Sequence, residues 1–293
     1  MSLLSEEVAW IEREAGDRVV SSARMPPSGT EKDMVLLGSG RRLVLRRYTD
    51  RERYDDPWYV PANEVAALRL LAGTSVPAPE LVAVDLESGV FGVPAILETF
   101  VEGIASFVPR DLDRYLASAA DALLRIHALG DRAGFPPYAA YMATFEIRAP
   151  AWSRDPAMWD RVRGVLEGPA PATPAGFIHR DYHGGNVLAV DDDVTAVVDW
   201  VTASNGPHGI DLARMRLNLM WEIDQEAADR FPAAYVGAGG LQEARHPFWD
   251  LADAADGILQ WGEAQDATEA AQQERHERYV ASLIAELGVP GEL

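Results

Sequence analysis

Hydrophobic and polar positions divide the chain into a strand-rich beginning and a helix-rich remainder. Residues 5–15 follow a helical period and stop at Gly16, which predicts a short amphipathic helix. Residues 35–37 and 43–47 read as strands, and the turn residues Gly38, Ser39 and Gly40 between them predict a hairpin. Residues 63–72 return to a helical period. Val65, Leu68 and Leu71 share one face, and Gly73 supplies the stop. Two further strands are predicted at 81–85 and 93–100, around the turn residues Glu87, Ser88 and Gly89. After Gly103 the character changes. Residues 111–129 carry Leu112, Leu116, Ala119, Leu123 and Ile126 on one helical face, closed by Gly130. A Pro/Ala/Gly-rich connector, 168–176, leads to short apolar strands at 177–178, 187–190 and 194–198. Asp191, Asp192 and Asp193 form the turn between the last two, and from Leu212 onward the pattern is mainly helical. The expected class is α+β: a small antiparallel-sheet lobe over residues 1–100, joined near 98–103 to a larger, mostly helical lobe over residues 101–293.

Composition narrows the function. A chain of 293 residues suits two domains or one two-lobed unit, and 48% apolar with 25% charged residues is ordinary for a globular protein. The absence of cysteine excludes disulfides and thiolate metal sites. The start of the chain carries Glu6, Glu7 and Glu12 ahead of Arg13, so no basic leader is expected. No apolar run approaches the roughly 18 residues of a membrane span, and a cytoplasmic protein without membrane partners is expected. A net charge of −20 argues against nucleic acid, whose phosphates require clustered Lys and Arg. The acidity reads either as solubility or as a field that attracts a cationic substrate. Lys32 is the only lysine, so any step that needs a lysine must use Lys32 or substitute arginine.

The segment from Phe177 to Trp200, FIHRDYHGGNVLAVDDDVTAVVDW, carries the chemistry. It places Asp181 and Asn186 on a tight loop between two strands and Asp199 at the end of the next hairpin. Phosphoryl transfer needs one carboxylate to orient the attacking hydroxyl and accept its proton. It also needs a second carboxylate and an amide oxygen to hold Mg²⁺ against the nucleotide phosphates. Asp181 suits the first role, and Asn186 and Asp199 the second. Gly184 and Gly185 permit the tight turn. The same residues read as turn and strand-end positions would make their coincidence accidental. Residue type alone also admits a zinc site from His179, Asp181 and His183.

The segment resembles the protein-kinase catalytic loop and, more closely, that of the aminoglycoside phosphotransferase and choline kinase-like family. His179, Asp181, His183 and Asn186 match its H-x-D-x-H-x-x-N pattern, and Asp199-Trp200 matches the aspartate-aromatic pair that follows. The resemblance implies a two-lobed protein-kinase-like fold and ATP or GTP as co-substrate with Mg²⁺. It implies that Asp211 braces the catalytic loop from a helix, and that His183 lies near the transferred phosphate. It calls for a strand cation at the phosphates, for which Arg46 is the candidate and Arg47, on the opposite face, the competitor. Glu64 is the candidate helix partner of Arg46. It further implies a Ser/Gly loop at Pro27-Ser28-Gly29-Thr30, with Ser28, Gly29 and Thr30 near phosphate. It also implies a hinge, Leu97 to Val101 and with it Glu98 and Phe100, whose backbone faces the base. The absence of a long activation segment after Asp199 points to a small-molecule acceptor, an aminoglycoside-like antibiotic or an amino-alcohol or sugar metabolite. Candidate acceptor residues are Glu222, Asp224, Trp249, Asp250 and Trp261. A nucleotide-binding module without transfer activity is the alternative; oligomeric state is not readable.

Overall fold

Helix α1 (Ser5–Ala15) ends at Gly16, whose φ of 65° lies in the left-handed region that a side chain resists. It lies against a five-stranded sheet in the computed structural model, which describes residues 3–26, 30–50 and 59–289. The strands are β1 (Val19–Arg24), β2 (Glu31–Leu37), β3 (Arg42–Arg47), β4 (Leu81–Asp85) and β5 (Ala95–Thr99). Their order is β1-β2-β3-β5-β4, antiparallel throughout. Helix α2 (Pro61–Leu71) follows β3 and starts with proline at its first position, where the missing N–H costs nothing.

The two-residue period of strands separates two faces. Val35, Leu37, Leu43, Leu45, Ala95 and Leu97 meet Trp10 and Ile11 of α1 in one buried cluster. The intervening positions, Lys32, Arg46, Ile96 and Glu98, lie on the opposite face. The expected hairpin and helix are present, while β1 had no residue bounds in the sequence pattern. That strand is exposed along nearly its whole length, so no alternation marks it. The fifth strand stops before Phe100, whose N–H donates to the Arg42 carbonyl at 3.1 Å.

The compact N-terminal unit comprises residues 1–103 and also 195–203. The second part lies outside the expected 1–100 boundary. Its attachment is local: Val197 N–H donates to the Pro77 carbonyl, and Asn63 Nδ2 on α2 donates to the carbonyls of Val201 and Ala203.

The second unit comprises residues 104–194 and 204–293. A short strand β6 (Ile104–Ala105) precedes α3 (Leu112–His127). The expected face of α3 is buried, and Asp111 caps it by accepting from Arg114 N–H. Helix α4 (Pro156–Leu166) did not emerge from periodicity, yet Asp155 as cap and Pro156 at the first position are its start signals. Then come β7 (Ala175–Ile178), β8 (Val187–Val190), β9 (Asp193–Val197) and β10 (Ser204–Pro207). β6 pairs with β8, and β10 pairs with β7, both antiparallel. Helices α5 (His208–Glu222), α6 (Gln225–Gly237), α7 (Pro247–Gly257) and α8 (Ala267–Glu286) complete the unit. Ile178 and Ile210 pack with Phe248, Trp249 and Ala252, which joins β7, α5 and α7 at the base of the loop that follows β7. Among the described residues no helix is long and apolar enough to cross a membrane.

Candidate active site

The loop between β7 and β8 is tied down by a single buried carboxylate. Asp211, in the first turn of α5, is fully buried. It accepts from the backbone N–H of His179 at 3.0 Å and of Arg180 at 2.6 Å, and lies 3.1 Å from His127 Nε2. His127 in turn meets the Tyr235 hydroxyl through Nδ1 at 2.7 Å. Arg180 has a φ of 72°, in the left-handed region that a residue with a Cβ seldom adopts. The two hydrogen bonds to Asp211 hold it there, and its guanidinium lies 3.7 Å over the Tyr141 ring. The expected bracing role of Asp211 therefore has a direct geometric counterpart. Asp211→Ala should leave two buried N–H groups unpaired, at about 1–3 kcal/mol each. Urea denaturation of this variant should show that loss, and Asp211→Asn, which keeps one oxygen, should lose less.

Within the loop, Asp181, His183 and Asn186 are brought together. Asn186 Nδ2 donates to the Asp181 carbonyl at 2.9 Å and to its Oδ2 at 3.0 Å. His183 Nδ1 accepts from Gly185 N–H at 3.0 Å, so the neutral ring carries its proton on Nε2. That nitrogen lies 3.4 Å from Asp181 Oδ2. Arg214 of α5, nearly fully buried, lies 3.4 Å from the other oxygen, Oδ1. Burial would raise the Asp181 pKa, but His183, Arg214 and His179 outweigh it and hold the carboxyl well below the usual range. His179 is fully buried, and its Nδ1 accepts from Asp181 N–H. The phenyl ring of Phe107 stacks on His183 at 5.8 Å between centroids. A side chain at Gly184 would sit 2.5 Å from the Ser106 carbonyl, so only glycine passes there.

Arg214 is the residue that sequence reasoning missed. It also lies 3.3 Å from Asp253 on α7. Burial raises the Asp253 pKa to about 7 against the pull of Arg214. The signal was present in the spacing: Arg214 lies three residues after Asp211, on an adjoining face of the same helix.

In the N-terminal unit, Arg46 is the organising charge, and Arg47 points the other way, to Glu7 and Asp33. Arg46 is 2% exposed. Its Nε donates to Thr30 Oγ1 at 2.9 Å, Nη1 to Glu64 at 2.5 Å, and Nη2 to Asp199 at 2.6 Å. The Tyr48 hydroxyl donates to the second oxygen of Glu64. Burial holds Glu64 and Glu98 above the ordinary carboxylate range. Lys32 is drawn below its ordinary value by burial and by Arg46, against Asp199, Glu98 and Glu64. Asp199 itself has a φ of 70° and precedes a 3-10 turn, Trp200–Thr202, whose Trp200 is fully buried.

Of the remaining candidates, Ser28 and Gly29 lie outside the described residues. The Thr30 hydroxyl is engaged with Arg46. Glu98 directs its side chain into the charged face of the sheet. Phe100 has its N–H bonded to Arg42, whose guanidinium also covers the Phe100 ring at 4.3 Å, so neither is offered to a base as expected. Asn186 and Asp199 belong to different units, the second and the first. Among the acceptor candidates, Asp224 caps α6, and Asp250 is buried between Arg216 and Arg245. Trp249 donates to Thr173 in the core, and Trp261 packs on Trp221 and His276. Glu222 is exposed.

Comparison with known proteins places this geometry. A homoserine kinase of Rhizobium rhizogenes strain K84 is 26% identical over 276 residues, 89% of this chain and 83% of that one. Among solved structures, a thermostable mutant of aminoglycoside phosphotransferase APH(4)-Ia, in ternary complex with ADP and hygromycin B, matches with a TM-score of 0.64 and 18% identity. The match covers 95% of this chain and 99% of that one. A macrolide 2'-phosphotransferase type I matches with a TM-score of 0.60 and 18% identity over 100% of both chains. The sequence profile described as "Phosphotransferase enzyme family" matches residues 22–248. With the braced aspartate loop, the pair between Arg46 of the sheet and Glu64 of α2, and this match over most of its length, the chain belongs to that phosphotransferase family and is an ATP-using kinase of small molecules.

Proposed function

We propose that the protein moves the γ-phosphate of ATP to a hydroxyl of a small, amine-bearing acceptor in a Mg²⁺-dependent reaction, with homoserine as the first candidate. The observation that carries the reading is the Asp181 carboxylate. It is ionised, partly exposed at 31%, and held on a rigid loop by Asn186, His183 and Arg214. A carboxylate so placed accepts a hydrogen bond from the acceptor hydroxyl and aims its lone pair. Its low basicity suits a loose transition state, in which the proton leaves late and positioning dominates.

Asn186 Oδ1 and the Asp199 carboxylate are hard oxygen donors of the kind Mg²⁺ selects. When bound, the metal would neutralise charge on the phosphate oxygens. Arg46 holds Asp199 by a direct ion pair. His183, whose Nε2 lies 3.4 Å from Asp181 Oδ2, would turn that N–H toward an incoming phosphate oxygen.

The choice of homoserine rests on the relatives, and the choice of an amine on charge. A chain of net charge −20 concentrates cations around itself. An acceptor screen with labelled Mg·ATP tests both, using homoserine, small amino alcohols, aminoglycosides and neutral sugars. Homoserine or another amine should be phosphorylated fastest. For a net-cationic acceptor such as an aminoglycoside or a simple amino alcohol, kcat/KM should fall with added salt, as the screening length shrinks from roughly 10 Å at 0.1 M to about 3 Å at 1 M. Zwitterionic homoserine, which carries no net charge, should show little salt dependence. A neutral sugar that outperforms every amine, or a salt-independent kcat/KM for a net-cationic acceptor, would remove the cationic acceptor.

A further inference from the structure

Helix α5 sends two arginines to opposite sides. At about 100° per residue, Arg214 and Arg216 diverge by about 200°. Arg214 meets Asp181, so Arg216 points away from the catalytic loop. Its Nη2 donates to Asp229 of α6 at 2.7 Å, and its Nη1 meets Asp250 of α7. On that side, residues of α5, α6 and α8 enclose a cavity of about 820 Å³, within the range of small-molecule sites. Four arginines line it against three carboxylates, although the whole chain has 46 acidic and 26 basic residues. The composition of this wall is therefore local and opposite in sign to the molecule around it.

Helix α8 turns a continuous face to the cavity. Arg275, Tyr279, Leu283 and Glu286 recur every three or four residues, and all line it. Two donors on this face are idle. The Tyr279 hydroxyl and Arg275 Nε are buried and have no hydrogen-bond partner among the described residues. Tyr279 is 1% exposed, and burial holds its phenol well above the ordinary range, so it remains a donor. Arg275 is anchored at its other end, where Nη2 donates to the Trp221 carbonyl, and it pairs with no carboxylate among the described residues. Arg278, one turn along, is exposed and meets only Glu274, in a surface pair that holds it weakly.

The acids of the wall are engaged. Asp224 caps α6 by accepting from Ala227 N–H, Asp229 is taken by Arg216, and Glu286 by Arg245. A buried donor without an acceptor destabilises the fold that contains it. An acceptor brought in by a ligand would relieve two such donors at once, beside an arginine whose charge nothing neutralises. Met220, Pro232 and Leu283 add an apolar part to the wall, which suits an anion carried on a carbon skeleton.

We propose that this cavity, on the side of α5 away from the catalytic loop, is a second binding site for a small metabolite that bears a phosphate or carboxylate group. Arg275, Arg278 and Tyr279 are its anion contacts. The site lies apart from Asp181 and does not depend on which acceptor the enzyme phosphorylates.

Calorimetry at constant ionic strength tests the assignment, with glycerol 3-phosphate and succinate as probes, each titrated with and without Mg·ATP. At least one probe should bind the wild-type protein with a Kd below about 1 mM, and Mg·ATP should leave that affinity unchanged. Binding of glycerol 3-phosphate alone marks a phosphate site, and binding of succinate alone a carboxylate site. For the probe that binds, Tyr279→Phe and Arg275→Gln should each weaken affinity by about tenfold or more, the worth of a hydrogen bond to a charged group. Tyr279→Phe removes an unpartnered hydroxyl, so it should resist urea at least as well as wild type, and its loss of binding is then no loss of fold. Binding of neither probe, equal affinity in either folded variant, or displacement of the probe by Mg·ATP overturns the proposal. Should Arg275→Gln fail to fold, Tyr279→Phe alone decides.

Discussion

Asp181→Asn is expected to lower the transfer rate by about 10²–10⁴-fold, the usual contribution of a positioned acid–base group, while the fold and Mg·ATP affinity stay close to wild type. Asparagine keeps the shape and can still accept from Asn186 Nδ2. It loses the negative charge that His183 and Arg214 surround, so the expected loss is in kcat rather than in KM for the nucleotide. The same charges set the pH dependence. Because they hold the Asp181 carboxyl well below the usual carboxylate range, its protonation should not reduce the rate as pH falls from 8 toward 5. A rate that falls within that range would mean that a different group accepts the proton. A steady-state rate for Asp181→Asn near wild type, with the acceptor that the screen identifies, would remove Asp181 from the mechanism.

The largest stability effect is expected at Arg46. Its guanidinium neutralises two carboxylates, one of which, Glu64, is 1% exposed. Removing one partner of a buried ion pair leaves an uncompensated charge, at about 3–5 kcal/mol. Arg46→Ala should therefore unfold at markedly lower urea concentration. Arg46→Lys should lose less, since one ammonium can still meet one of the two carboxylates but cannot span both. Arg47→Ala should also destabilise, because Arg47 joins Glu7 of α1 to Asp33 of β2. The two arginines separate on nucleotide affinity. Arg46→Ala should raise KM for ATP by releasing Asp199, and Arg47→Ala should leave it unchanged, because its side chain lies on the opposite face of β3. The reverse ranking would place the nucleotide on the α1 face of the sheet.

Much of this is legible in the sequence. The period-2 run from Leu43 to Arg47 separated Arg46 from Arg47, because successive side chains of a strand point to opposite faces whatever surrounds them. The spacing of Asp181, Asn186 and Asp199 singled out the candidate loop and hairpin end, and the resemblance of the motif pointed to Asp211 as the brace of that loop. Such information is local, carried by periodicity, turn residues and a short motif. The exposed strand β1 escaped because it buries too little to leave a pattern.

What only the tertiary structure decided are the partners. Periodicity puts Arg46 on a strand but leaves Lys32 outside the strand it marks at 35–37, and it does not set the register that places the two opposite each other. Nor does it show that Arg46 spends its nitrogens on Thr30, Glu64 and Asp199, since Asp199 lies 153 residues away. Arg214 and Asp253 look like surface residues of amphipathic helices until α5 and α7 pack and bury them together beside Asp181. The Phe100 backbone looks available until β3 pairs alongside it and takes its N–H. The reason is common to all four. Local pattern encodes which face a residue occupies, whereas the neighbour that meets it there comes from another segment of the chain, and only folding brings the two together.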